Sequence, residues 1–556
     1  MRKFHLLFIA FLLINSINAS AQDPLSDILE KELNREYSEL KKQEIPPYYM
    51  SYRVAEQTTM DIVSSFGCLD RVQRNNNRQL TTMIRVGSPE LDNFHELKGV
   101  NSNVQMTRPL LPVGNDELAI RQILWQTTNE SYFQAVQKLT QIKGNKAVSV
   151  AQEDKSPDFA EASPAQYFEQ PLKTAIDKNT EEKLITKVKL YSKAFAGSKD
   201  ISNCSVYLSV NFKRDYFVSS SGSKITENHP QINLSISGNT LADDGMELQL
   251  YKSYFATDLK DLPKDDAVLK DVAELVKRLE ALRTAPVVDP YSGPALLSGK
   301  ATGVFFHEIF GHRVEASRMK SENDAQTFKN KVGQQVLNKN LSVVFDPTAT
   351  AYKGFTLSGS YKYDDSGVKS QKVTVVDKGI LTDFLTSTTP IDGFLKSNGH
   401  GRAQAGLNPV SRQSNMMVES DQLLSESDLK KNFMEEIKRQ NLAFGYYFKE
   451  VSGGFTMTGR IQPNAFNVTP LEVYKVFADG KPDELVRGIN LVGTPLAMFS
   501  EIEAVGGDYG LFTGTCGAES GGVPVSAVCP MMFVKKIEIQ KKPKSSNTKP
   551  ILDRPF

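Results

Sequence analysis

Two of the chain's six histidines stand close together in the stretch Gly303–Ser317, GVFFHEIFGHRVEAS. Glu308 follows His307 directly, and His312 comes after three further residues. The pattern is H-E-x-x-x-H, one residue longer than the H-E-x-x-H of zinc peptidases. Residues four apart share a face of an undistorted α-helix, whereas residues five apart diverge by about 140° beyond one turn. A wider local turn, such as a π-bulge, is therefore expected between His307 and His312 so that both imidazoles face one metal ion. Gly311, just before His312, lowers the steric barrier to that distortion. Glu308 points away from His307 by about 100°, the relation in which a carboxylate takes a proton from water rather than binding the metal.

Two histidines do not complete a catalytic zinc site, which has three protein ligands and one open position. Candidates for the third ligand are Glu315, His400 in SNGHGRAQAG, and Cys516 in GTCGAESGGVPVS. Cys516 lies between Gly514 and Gly517, which let its backbone approach another element closely. A thiolate is a strong zinc ligand, and a buried structural cysteine is the plain alternative. Spacing alone does not choose among the three.

The elements that position these residues belong to a chain of 556 residues, long enough for two or three domains. Its 66 basic and 65 acidic residues leave a formal charge of +1. There is no basic stripe, so nucleic acid is not an expected partner. Arg2 and Lys3, the apolar run Leu6–Ile14 and the small residues Ala19–Ala21 read as a secretory signal peptide over residues 1–21. Export to the periplasm or the medium follows from that reading. No later stretch is long and apolar enough to cross a bilayer. Cys68, Cys204, Cys516 and Cys529 are too sparse for a disulfide framework, although an oxidising compartment leaves a Cys68–Cys204 bridge open.

Helical periodicity is expected over residues 25–40, near 117–139 and over about 266–282. Strand-like runs include YMSYRVAE, LTTMIRVG, CSVYLSVNF, DYFVSS, INLSISG and MELQLYKSYFA. Pro286, Pro290 and Pro294 mark a domain boundary. Beyond it, strands predominate, with hairpins across Lys378-Gly379 and Asp479-Gly480. The last fifteen residues, 542–556, read as a loose tail.

Several blocks of the second half, in order, resemble the TldD/PmbA metalloproteases, and the TldD branch in particular. They are GVFFHEIFGHRVEAS, SNGHGRAQAGLNPVSRQSNMMVES, the segment from VSGGFTMTGR to LVGTP, and FTGTCGAESGGVPVSAVCPMMFVKKIEI. The resemblance covers roughly 286–539. It implies an α+β chain, with an N-terminal α/β domain over 22–285 and a β-rich catalytic domain over 286–541 that carries a metal-binding helix. It also implies a Zn2+ site formed by His307, His312 and Cys516, with Glu308 as catalytic base. Family members act on peptides or unfolded segments in extended form and assemble as dimers. The PmbA-like branch lacks the histidine pair and serves as an inactive partner, so the expected assembly is a homodimer or a heterodimer with a PmbA-like chain.

The export signal departs from the family's cytoplasmic members, whose substrates therefore do not transfer. His400 is a further departure; it either lines the site or, as the favoured reading, is a surface residue. Arg402 is a candidate for holding a peptide carboxylate or carbonyl, or else forms a structural ion pair. A strand edge near Ser452-Gly453-Gly454 is the candidate for aligning substrate by β-augmentation, with Gly453 and Gly454 as its substrate-binding residues. The resulting expectation is an exported zinc peptidase. The rivals are a metal-independent cysteine hydrolase using Cys516 with His307 or His312 as base, and an inactive zinc-binding partner protein.

Overall fold

The computed structural model describes residues 23–96, 109–146, 154–460, 466–493, 495–542 and 552. The expected signal peptide and nearly all of the expected tail lie outside them. The first half of the chain includes α1 (Pro24–Leu40), β1 (Pro47–Ser65), β2 (Cys68–Ser88), α2 (Glu117–Lys146), α3 (Lys178–Lys193), β3 (Ile201–Ser219), β4 (Lys224–Leu241), β5 (Glu247–Ala256) and α4 (Asp265–Thr284). Asp23 caps α1, its Oδ1 accepting from Leu25 N at 3.1 Å, and Pro24 opens the first turn.

Strands β2, β1, β3, β4 and β5 pair in that order, each antiparallel to the next. Side chains alternate between the faces of a strand. Met50, Tyr52 and Val54 of β1 pack with α1 and α2, while Met60 and Ile62 of the same face pack with α3 and α4. The helices therefore share one face of the sheet. The other face turns towards the second half, where Arg53 forms an ion pair with Asp365 and donates to Gln404 O at 2.9 Å.

The second half includes β6 (Tyr291–Leu297), α5 (Gly299–Ile309), β7 (Asn415–Ser420), α6 (Glu426–Arg439), β8 (Phe444–Thr456), β9 (Phe466–Phe477), β10 (Ile489–Gly493), β11 (Ile502–Ala518) and β12 (Gly521–Lys541). Its sheet centres on β12, which pairs with β6, β7, β10 and β11 along its length. Strand β8 joins through β6 and β9. Val304, Phe305, Phe306, Ile309 and Phe310 on and after α5 pack into a core with Phe328, Phe499, Ala527 and Met532. The class is α+β, as expected.

The three expected helices are α1, α2 and α4. The runs CSVYLSVNF and DYFVSS are one strand, β3, because Lys213 and Arg214 between them stay in the ladder opposite His229 and Asn228. Asp377 pairs with Ile380 around Lys378-Gly379, and β9 pairs with Glu484–Val486 around Asp479-Gly480, as the hairpin signals indicate. All four cysteines are free thiols. Cys204 Sγ accepts from Phe66 N at 3.3 Å, and Cys68 is exposed, so the Cys68–Cys204 bridge is not formed in this structure.

Candidate metal centre

Ser298 starts α5, its Oγ accepting from Ala301 N at 3.2 Å, and residues 301–309 are all buried. The helix does not widen into a π-bulge; it ends at Ile309. Phe310 (φ −114°, ψ −56°) leads into a 3-10 turn at Gly311–Arg313. The carbonyls of Glu308 and Ile309, left free by the break, accept from Arg313 Nη1 at 2.7 and 3.3 Å. The tighter turn swings His312 back, so that the centroids of the His307 and His312 rings are 5.0 Å apart. Gly311 serves a close approach, because a Cβ there would lie 1.9 Å from Gln413 Oε1. Gln413 Nε2 in turn donates to His307 O at 3.2 Å.

Cys516 arrives near the end of β11, and its Sγ stands 3.4 Å from His312 Nε2. One donor atom each from His307, His312 and Cys516 lies within 4.8 Å of the other two, and all three residues are buried. Tetrahedral zinc, with bonds of about 2.0–2.1 Å to nitrogen and 2.3 Å to sulfur, places such donors roughly 3.5 Å apart. Two imidazoles and a thiolate suit a borderline-soft divalent ion, so the donor set fits one metal ion.

Glu315 stands behind the donors rather than among them. Its Oε2 lies 3.1 Å from His312 Nδ1, which leaves Nε2 turned towards the sulfur. Arg318 Nε donates to the same oxygen at 2.9 Å, and Arg412 Nε lies 3.5 Å from Oε1. Arg412 also donates to Cys516 O at 2.6 Å, Ser520 Oγ at 2.8 Å and Gly521 O at 2.9 Å. One buried guanidinium thus joins the turn carrying Cys516 to the carboxylate that orients His312. Glu315→Gln is expected to weaken metal binding about 10- to 100-fold, the usual cost of losing such a partner. Competition with a chromophoric chelator, read on folded protein, checks this.

His400 is buried rather than at the surface, and it is not among the metal donors. Its Nδ1 is 3.1 Å from Asn398 Oδ1 and its Nε2 is 3.0 Å from Ser414 Oγ. Burial first, and Arg402 next, push its pKa down to about 3, so it is neutral.

Electrostatics favour a thiolate–imidazolium pair of Cys516 and His312, and a metal ion bound there would displace the imidazolium proton. Burial disfavours the Cys516 thiolate, but the imidazoles of His307 and His312 outweigh it and hold the thiol well below its ordinary value. Burial likewise opposes the His312 imidazolium, yet Glu315 and Cys516 raise its pKa to about 10. Glu308 is pushed up, chiefly by burial, against the pull of the two imidazoles.

A groove of about 410 Å³ opens over these residues, with Ser452–Thr456 of β8 on one side and 512–518 of β11 on the other. Gly453 and Gly454 are both in its lining. A Cβ on Gly454 would lie 2.8 Å from Glu308 Cγ and 2.7 Å from Asn467 O, so the β8 backbone runs directly against the glutamate. Over Gly453–Thr456, β8 pairs with β9 on one edge, and over Thr513–Gly517, β11 pairs with β12 on one edge. Among the described residues, no strand occupies the opposite edge of either segment. Tyr251 Oη donates to Ser452 O at 3.0 Å, so the stretch of β8 without a neighbouring strand on that edge is Gly453–Phe455.

Arg402 does not reach this groove. Its Nη1 donates to Gln413 O at 2.5 Å, its guanidinium lies 4.8 Å over the Tyr361 ring, and it borders a separate polar cavity. Sequence reasoning missed the parts played by Glu315, Arg412 and Gln413. Only Glu315 left a signal, its three-residue spacing from His312.

Residues 290–541 match the PmbA/TldA metallopeptidase C-terminal domain. Over these residues the chain is similar to the TldD/PmbA family. A metalloprotease of Methanothermobacter thermautotrophicus is 28% identical over 315 residues, 56% of this chain and 63% of that protein. A zinc metalloprotease TldD homolog of Saccharolobus solfataricus is 26% identical over 371 residues, 66% of this chain and 77% of that protein. The match therefore spans less than two thirds of the first of these TldD/PmbA relatives. The TldE crystal structure from Thermococcus kodakarensis shares the fold at a TM-score of 0.60 and 13% identity, covering 93% of this chain and 100% of that one.

Proposed function

We propose that this chain is a TldD-like zinc peptidase that hydrolyses peptides or unfolded protein segments. The observation that carries the reading is the position of Glu308, beside a His-His-Cys donor set and against an open groove between two free strand edges. The name of the Saccharolobus relative supports zinc as the metal. An ion held by His307, His312 and Cys516 would supply Lewis acidity to a scissile carbonyl and lower the pKa of water. The edges of β8 and β11 offer main-chain hydrogen bonds that hold an extended polypeptide in register. Glu308 takes the proton of the attacking water and passes it to the departing amine.

The contact between Cys516 and His312 favours a second reading, a cysteine hydrolase that needs no metal. Chelation separates the two. With an unfolded fluorescent casein as substrate, hydrolysis by the zinc-loaded chain should fall to background in chelator and return with zinc. Full activity in the metal-free chain would favour the thiol mechanism. Arg2, Lys3 and the apolar run Leu6–Ile14 support export to the periplasm or the medium as part of the proposal. Kinship with a family that works in pairs supports a dimer, with a second copy or with a PmbA-like chain.

A further inference from the structure

The face of the first sheet opposite the helices is rich in carboxamides. Asn75 and Asn77 of β2, Gln57 of β1, Asn211 of β3 and Gln231 of β4 all border one cavity of about 640 Å³. The register sets them in rows across the strands. Gln57 pairs with Asn77 on one side and Lys213 on the other, and Asn211 pairs with Gln231. The side chains of Gln57, Asn75, Asn77 and Gln231 make no hydrogen bond among the described residues. Asn211 Oδ1 is buried without a partner.

The charged groups of the cavity are by contrast largely matched to one another. Asp215 Oδ2 lies 2.6 Å from Lys213 Nζ and 3.2 Å from His229 Nε2, and Asp365 is paired with Arg53. The lining thus offers neutral groups, each with a donor and an acceptor, and no dominant charge. A peptide unit carries the same two complementary groups. Asn75 and Asn77, two residues apart on one strand, are spaced by about 6.6–6.8 Å, the repeat of like-facing groups in an extended chain. The opposite wall is the β11–β12 hairpin, and Thr515, next to Cys516, borders both this cavity and the groove.

We infer that this cavity is a second, sequence-tolerant site for extended polypeptide, which holds the part of a long substrate that passes beyond the groove. The inference rests on the peptidase reading for its ligand class. Its chemistry is main-chain recognition by side-chain amides, so it favours length over sequence.

The test uses the zinc-loaded full chain carrying Glu308→Gln, with and without Gln57→Ala and Asn77→Ala together. Fluorescence anisotropy reads binding of a reduced, carboxymethylated polypeptide and of a labelled pentapeptide. Loss of two net hydrogen bonds predicts roughly tenfold weaker binding of the long chain, with pentapeptide binding unchanged. Equal losses for both ligands, or no loss for either, would overturn the inference. So would displacement of the long chain by an N-acetylated oligosaccharide but not by a second unfolded polypeptide, which would assign the cavity to glycan. Turnover does not enter the readout. A chain that bound both ligands and cleaved neither as the wild type would count against the peptidase reading alone.

Discussion

Replacing Glu308 by glutamine should lower kcat by about 10²- to 10⁴-fold, the usual contribution of a positioned general base, while zinc stays bound. The carboxamide keeps the size and polarity of the side chain but cannot accept the proton. Glu308 is not one of the three donors, so its loss leaves them in place. The neighbouring structure also constrains the interpretation. The β8 backbone at Gly454 lies against Glu308 Cγ, so a bulkier replacement would disturb the strand as well as the chemistry. Glutamine avoids that ambiguity. Steady-state hydrolysis of an unfolded polypeptide, with zinc content measured on the same sample, checks the expectation. Undiminished turnover would remove Glu308 from the mechanism.

Cys516→Ala has the second large effect. Losing a ligand should weaken zinc binding beyond the roughly 10- to 100-fold expected when only an outer partner such as Glu315 is lost. Cys516 packs with Val523, Val525 and Phe512 at the end of the hairpin. Removing one sulfur atom there should cost about 1 kcal/mol of stability, small beside the effect on the metal. The variant should therefore fold, lose zinc on dialysis and lose hydrolysis with it. Its thermal unfolding curve in chelator should lie close to that of the wild type in chelator. A variant that keeps zinc and loses only turnover would make the thiol a nucleophile instead of a ligand.

The reactive residues were more legible than the geometry that joins them. His307, Glu308 and His312 are contiguous in the chain, and their odd spacing already required a departure from a uniform helix. What kind of departure was not legible. The break at Phe310 depends on Arg313, which donates back to the last carbonyls, and on Gln413, which abuts Gly311 from about a hundred residues away. Cys516 stood level with Glu315 and His400 on spacing alone, and the resemblance favoured it. The fold separates them physically, because Glu315 packs against the far nitrogen of His312 and His400 is held by Asn398 and Ser414. Arg402 shows the reverse case. A guanidinium in a glycine-rich segment suggested a hold on substrate or a structural ion pair, and the fold turns it to Gln413 O and the Tyr361 ring, away from the metal groove. The amide face was written into β2 as alternate residues of RNNNRQ, yet alternation of polar residues alone cannot say what the face looks onto.

The most direct measurement is zinc content by elemental mass spectrometry. The wild type and Cys516→Ala would be purified without chelator, offered zinc and dialysed. About one zinc per chain in the wild type and little or none in the variant is the expected result for a three-ligand site. A wild type that remains metal-free, or a variant that keeps its full complement, would contradict a centre built from His307, His312 and Cys516.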